Sequence, residues 1–194
     1  MVRKPNYCKG VIIVHGKSEL LLAEHIKSNL HLNIGIYSLE NGRTSIQINS
    51  LMTILGNTIF KNKNKLKKEY IIEEKNKELV NFFVMPIMDL DDTTEEKIKK
   101  YKSGEMFKNH WLSPYIIPIW NDINFDHVLY DLKLISKLPN DKEKGKVYRE
   151  LFPTNDGPVD LEQVNKLLKC FESTKKTNMD IFIKKCLANL EKFN

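Results

Sequence analysis

Apolar residues in this chain follow two patterns: short runs rich in β-branched residues, and longer stretches spaced by three and four. The segments 10–14 (GVIIV), 33–39 (NIGIYSL), 82–88 (FFVMPIM) and 115–120 (YIIPIW) are of the first kind and predict buried strands. Leu20, Leu21, Ala23, Ile26 and Leu30 are of the second kind. They predict a helix capped by Ser18, with Glu19 in its first turn, where a negative charge suits the helix dipole. Ile46, Ile48, Leu51, Met52 and Leu55 predict a second helix that starts at Thr44 or Ser45 and ends near Gly56, after a turn at Glu40-Asn41-Gly42. Thr93 or Thr94, followed by Glu95 and Glu96, starts a third. Residues 124–134 read as helical. Two amphipathic helices follow, one from Pro158-Val159-Asp160 with Leu161, Val164, Leu167, Leu168 and Phe171 on one face. The other runs from Thr177 with Phe182, Ile183, Cys186, Leu187, Leu190 and Phe193. The stretches 57–78 and 139–157 read as polar, with Tyr70-Ile71-Ile72 a weak strand or short helix. Pro86 is awkward for a central strand and suggests a bulge or a boundary.

The order strand–helix repeated, then helices alone, predicts an α/β fold. The expected architecture is a Rossmann-like, doubly wound, mostly parallel four-stranded sheet flanked by helices in residues 1–138. A helical extension over residues 139–194 packs on it. The length of 194 residues and the 41% hydrophobic content suit one such unit. No apolar run approaches the roughly 18 residues that span a bilayer, so no membrane partner is expected. The basic opening segment is a poor signal peptide, and Cys8, Cys170 and Cys186 form no pair with metal or disulfide spacing. A cytoplasmic protein is the expectation. The net charge of +6 comes from 31 basic and 25 acidic residues and is concentrated in part at Lys61, Lys63, Lys65, Lys67 and Lys68. That run is either a solvated loop or a contact for nucleic-acid phosphates.

In doubly wound sheets ligands bind outside the carboxyl ends of the strands. The two informative polar clusters, His15–Glu19 and Asp89–Asp92, both fall there. Alternation along an extended segment puts Asp89 and Asp91 on one side, where two carboxylates repel unless a cation separates them. Hard oxygen donors favour Mg²⁺, Mn²⁺ or Ca²⁺. Glu19 is a third candidate ligand and Asp92 a neighbouring one, while Lys17 is placed to hold a phosphate. The alternative is that Asp91, Asp92 and Thr93 merely cap the third helix. Gly16-Lys17-Ser18 is not a Walker loop, because five strand-like residues separate Gly10 from Gly16 where four are needed.

VIIVHGKSE followed by a helix, with FFVMPIMDLDD much later, resembles the TOPRIM domain of topoisomerases, primases, small RNA-maturation nucleases and the OLD-type and RloB-like proteins linked to phage defence. The resemblance covers residues 8–135. Asp89 and Asp91 match the family's Asp-x-Asp pair, Gly16 its glycine, and Glu19 the second acid of its Glu-Gly-x-Ser/Thr-Glu form. Asn124-Phe125-Asp126 is similar to the Phe-Glu helix start of the RloB-like group. The resemblance implies a metal-dependent nuclease or related phosphoryl-transfer protein using Mg²⁺ or Mn²⁺ on DNA or RNA, with a role in phage defence. His15 stands where the family has its first glutamate, so it is either an altered general base or metal ligand, or the mark of a degenerate site.

Three functional expectations follow. The first is the nuclease, with His15, Lys17, Glu19, Asp89 and Asp91 as catalytic candidates and Glu19, Asp89, Asp91 and Asp92 around the metal. The second is a TOPRIM-like module that binds nucleic acid, a partner protein or a second copy of itself without turnover. The third is a phosphatase, since Asp89-Leu90-Asp91-Asp92-Thr93 resembles the Asp-x-Asp-x-Thr of haloacid dehalogenases, with Asp89 as nucleophile and Asp91 as general acid.

Overall fold

Strand β1 (Gly10–Val14) is buried at every position, which is what a sheet covered on both faces requires of its central strands. Its residues divide strictly by parity. Ile12 and Val14 join one apolar cluster, whereas Val11 and Ile13 join the other. Strand β5 (Phe83–Asp89) divides the same way, with Phe83, Met85 and Ile87 in the first cluster and Val84 and Met88 in the second. The strand period of two therefore turns Asp89 toward the first cluster.

The structure is a computed structural model that describes residues 6–190; the basic opening segment and Phe193 lie outside the described residues. Strand β2 (Ile34–Tyr37) and strand β6 (Ile119–Asn121) complete a four-stranded sheet in the order β2-β1-β5-β6, with every pairing parallel. The chain leaves β1 toward β2 on one side and later returns to β5 on the other. The strand order thus reverses between β1 and β5, and a crevice opens above their carboxyl ends. One face of the sheet carries α1 (Lys17–Asn29), α5 (Phe125–Asp131), α6 (Asp141–Leu151), α7 (Leu161–Glu172) and α8 (Met179–Leu190). The other carries α2 (Ile48–Asn57), α3 (Lys63–Glu69) and α4 (Glu95–Lys102). The helices after residue 139 share their core with the sheet: Tyr148, Phe152, Phe171 and Phe182 are buried in the same cluster as Ile12, Leu22 and Met85. Each such side chain contributes roughly 1.5–3 kcal/mol of burial. Among the described residues no helix is long and apolar enough to cross a membrane.

Pro86 sits in a central strand without a bulge, opposite Ile13 on the β1 side. On the β6 side the ladder lapses between the Val84–Ile116 bridge and the Ile87–Ile119 pair. The buried hydroxyl of Tyr101 fills that gap, 2.7 Å from the Pro86 carbonyl and 2.8 Å from that of Ile119. The Tyr101 hydroxyl of α4 thus gives those two carbonyls a side-chain donor beside a residue that has no main-chain N–H.

Several boundaries differ from the sequence expectation. Ser18 does not cap α1; the cap is Gly16, two residues earlier, and Glu19 turns back onto the Gly16 amide, 3.0 Å away. Helix α2 starts at Ile48, because Ile46 donates its N–H to the His15 carbonyl at 2.8 Å and holds 44–46 extended. The polar 57–78 segment is not a loop. It contains a 3-10 turn, helix α3 capped by Asn62, and the hairpin of β3 (Glu74–Lys75) with β4 (Glu78–Leu79). Tyr70–Ile72 belongs to no helix or strand, and the Ile71 carbonyl accepts from the Cys8 amide. The 139–157 stretch is likewise structured, as α6, with Asn140 capping it and Glu143 in the reciprocal position. Strand β6 is shorter than 115–120 and shifted to its end, and α8 starts two residues after Thr177.

Candidate functional site

The crevice at the strand-order reversal is a cleft of ≈ 620 Å³ lined by His15, Gly16, Lys17, Ser18, Glu19, Asp89 and Asp91, together with residues from later elements. His15 prolongs β1 by one hydrogen bond, its N–H meeting the Ile87 carbonyl at 2.9 Å. The chain then turns at Gly16 into α1. The neighbouring 3-10 turn presses Gly42 against that corner at φ +77°, where an added Cβ would lie 3.0 Å from the Lys17 Cα. Glycine is required there for both reasons. The close approach brings Arg43 and Ser45 to the cleft rim.

Asp89 ends β5 beside Asn121 of β6, its partner in register. Its Oδ1 accepts from Asn121 Nδ2 at 3.0 Å and from the Phe125 amide at 3.1 Å; its Oδ2 faces His15 Nε2 at 3.7 Å. Asn121 is itself fixed: its Oδ1 lies 2.9 Å from the Thr177 hydroxyl, just ahead of α8. The following loop is anchored by Ile123, whose carbonyl accepts from the amides of both Leu90 and Asp91. Ile123 reaches this position at φ +61°, a left-handed conformation that a β-branched residue adopts only under strain. Asp91 lies at the exposed rim, with its Oδ2 3.0 Å from Asn124 Nδ2.

Glu19 and Asp89 are both almost wholly buried, at 2% and 6% exposure. Burial, reinforced by the charge of Asp126, pushes the Glu19 carboxyl up to about 7. Burial and the Glu19 charge hold Asp89 well above the usual carboxylate range, against the opposing pull of His15 and Asn121. An ionised Glu19 therefore disfavours the charged form of Asp89. Burial raises Asp92 as well, and both of its oxygens are buried without a hydrogen-bond partner, as is His15 Nδ1.

The sequence expectation brought His15, Lys17, Glu19, Asp89 and Asp91 to one site, and the structure gathers all five there. Asp92 does not line the cleft; it stands in the turn after β5, where its main-chain carbonyl accepts from Asn49 Nδ2. None of Lys61, Lys63, Lys65, Lys67 and Lys68 lines it either. They lie on and just before α3, and Lys63 and Lys67 are spent on Glu74. The cations at the cleft are instead Lys17, Arg43, Lys142 and Lys144. Lys144 pairs with Asp126 at 3.0 Å, whereas Lys17, Arg43 and Lys142 hold no ion pair among the described residues. Asp126, missed as a site residue, also accepts from the Ser18 hydroxyl at 3.0 Å and the Tyr148 hydroxyl at 2.7 Å, and so ties α1, α5 and α6 together. The readable signal for α6 was Asn140 three residues before Glu143, a helix-start pair.

Among the described residues no group of three or more histidine, cysteine or carboxylate side chains is arranged to hold a metal ion. The carboxylates at the cleft are Glu19 and Asp89, both buried, Asp126 in its ion pair with Lys144, and Asp91 at the rim. That set suits a hard, largely hydrated cation such as Mg²⁺, which binds through one or two carboxylates and completes its shell with water and substrate phosphate. Compared with protein-family models, with curated proteins and with solved structures, the chain finds no match.

Proposed function

We propose that the cleft is the active site of a metal-dependent nuclease that acts on a nucleic-acid phosphodiester with Mg²⁺ or Mn²⁺. One observation carries this reading: Glu19 and Asp89 are both buried in one cleft, where the Glu19 charge helps to hold Asp89 above its usual range, and among the described residues the cleft's Lys17, Arg43 and Lys142 hold no ion pair. Leftover charge of both signs suits a divalent cation on the floor and a phosphate above it.

Glu19 and Asp89 would hold the ion, with Asp91 beside them; when bound, it supplies polarisation of the phosphoryl oxygens and a more acidic water. The protein's own groups do the rest. Lys17, Arg43 and Lys142 bind and orient the phosphate charges. Asn121 and the Phe125 amide fix the Asp89 carboxylate in one orientation. His15 Nε2, beside Asp89 Oδ2, is placed to take a proton from the attacking water. This is the activity that the TOPRIM resemblance implies. A place in phage defence comes with that resemblance alone, and a cytoplasmic setting with the poor signal peptide and the scattered cysteines.

A second reading, binding of nucleic acid without turnover, is favoured by the lack of three converging ligands among the described residues. The test is incubation with labelled DNA and RNA in Mn²⁺, alongside Asp89→Ala. The nuclease reading expects metal-dependent cleavage that the substitution removes. Salt-sensitive binding with no cleavage selects the second reading. A covalent phosphoryl group on Asp89 selects the phosphatase reading instead.

A further inference from the structure

Next to the cleft, on the far side of Lys17, lies a second recess of ≈ 380 Å³ between α1 and the end of α6. The two are joined at two points. Lys17 lines both, and Arg149 of the recess folds back over Gly145 of the cleft, its Nη2 only 3.5 Å from where a Gly145 Cβ would stand. Gly145 interrupts a helix at a cost of about 1 kcal/mol relative to alanine, and the room it leaves is where the guanidinium lies. The recess has a mixed chemistry: an apolar floor from Leu21, Phe152 and Pro153, with Glu24 and Thr154 at its edge. Arg149 is exposed and holds no ion pair among the described residues.

We propose that this recess is a nucleoside subsite, holding the base and sugar next to the phosphate that occupies the cleft. A flat base suits a floor of proline and leucine, and the Glu24 carboxylate and Thr154 hydroxyl offer acceptors to an exocyclic amino group. Arg149 binds the phosphate on the far side of that nucleoside, and Lys17 the one on the near side. The subsite makes the substrate a strand with at least one nucleotide seated beyond the reacting phosphate. It also assigns recognition to α6, which lies outside the part of the chain that resembles TOPRIM domains.

This inference rests on the nuclease reading, and the experiment separates the two. Binding of fluorescent single-stranded hexanucleotides is measured in Ca²⁺ by anisotropy, for the wild type, Arg149→Ala and Glu24→Ala, with intact and abasic strands. In parallel, the wild type and Arg149→Ala are assayed in Mn²⁺ on bis(4-nitrophenyl) phosphate, a diester without a nucleoside. The subsite predicts that Arg149→Ala weakens hexanucleotide binding by about tenfold. It also predicts that an abasic strand binds less well than an intact one, that Glu24→Ala changes the preference among bases, and that small-diester hydrolysis is equal in the wild type and Arg149→Ala. Equal binding of intact and abasic strands, or of wild type and Arg149→Ala, overturns the subsite while leaving the nuclease reading standing. Hexanucleotide binding that follows the predicted pattern, with no hydrolysis of the small diester or of the same hexanucleotide once Mn²⁺ replaces Ca²⁺, supports the subsite and overturns the nuclease reading.

Discussion

Glu74 and Glu19 are both glutamates near lysines, and their surroundings drive their protons in opposite directions. At the corner of α3 and β3 the ammonium groups of Lys63 and Lys67 both hydrogen-bond Glu74 and hold its carboxyl down at about 2. In the cleft, Glu19 is buried beside other acids and pushed up to about 7, while Lys17, Arg43 and Lys142 hold no ion pair among the described residues. The first arrangement engages both ammonium groups on one carboxylate and so holds that carboxylate ionised. The second keeps opposite charges apart at the cost of burial and repulsion, which is how binding and catalytic sites are built. A dense lysine run is thus the weaker guide to a polyanion partner here, and a few unpaired cations beside strained carboxylates the stronger one.

The largest predicted effect sharpens that contrast. Asp89→Ala is expected to lower Mn²⁺-dependent cleavage by at least about a hundredfold, measured as single-turnover rate on a labelled strand. Next comes the support behind the carboxylate. Thr177→Val leaves the Asn121 amide without the hydroxyl that orients it, and is expected to weaken Mn²⁺ binding by roughly tenfold, read by titration calorimetry. A smaller effect has the opposite sign. A carboxyl raised from 4.5 to about 7 on folding stabilises the protein fully below the lower value and ceases to do so as pH rises through the higher one. Glu19→Gln is therefore expected to be more stable than the wild type at pH 8 by roughly 1–3 kcal/mol and equal to it at pH 4. Thermal unfolding across that range checks both the size and the sign. The smallest effect is at α3: Lys63→Ala with Lys67→Ala is expected to change oligonucleotide affinity by less than about twofold, since those charges are already paired. A large loss of affinity there would break the comparison.

How much of this was legible in the chain depended on the kind of signal each residue gives. The β-branched runs of β1 and β5, followed by short polar clusters, were readable because a sheet covered on both faces demands continuous apolar strands. The convergence of Glu19 with Asp89 followed from the strand-order reversal. Helix α6 was hidden because its apolar residues, Val147, Tyr148 and Leu151, are few and crowded at one end; its start pair, Asn140 and Glu143, was the available clue. Asp126 was hidden for a different reason: its role comes from Ser18 and Tyr148, which lie 108 and 22 residues away, and no local pattern encodes such a meeting. The strained φ of Ile123 is also invisible to any propensity, because the hydrogen bonds to Leu90 and Asp91 override what an isoleucine prefers. Pro86 read as a break, yet it keeps its place opposite Ile13 in the β1 ladder, with its own carbonyl accepting from the Tyr101 hydroxyl of another element.

Whether Glu19 and Asp89 together hold a hard cation is decided by calorimetric titration of Mn²⁺ into the protein at pH 8, repeated with Glu19→Gln and Asp89→Asn. The wild type is expected to show one saturable site that either substitution abolishes, with proton release on binding when the titration is repeated near pH 6.5. A wild type that binds no Mn²⁺, or variants that bind it as tightly as the wild type, would rule out a cation held by this pair of carboxylates.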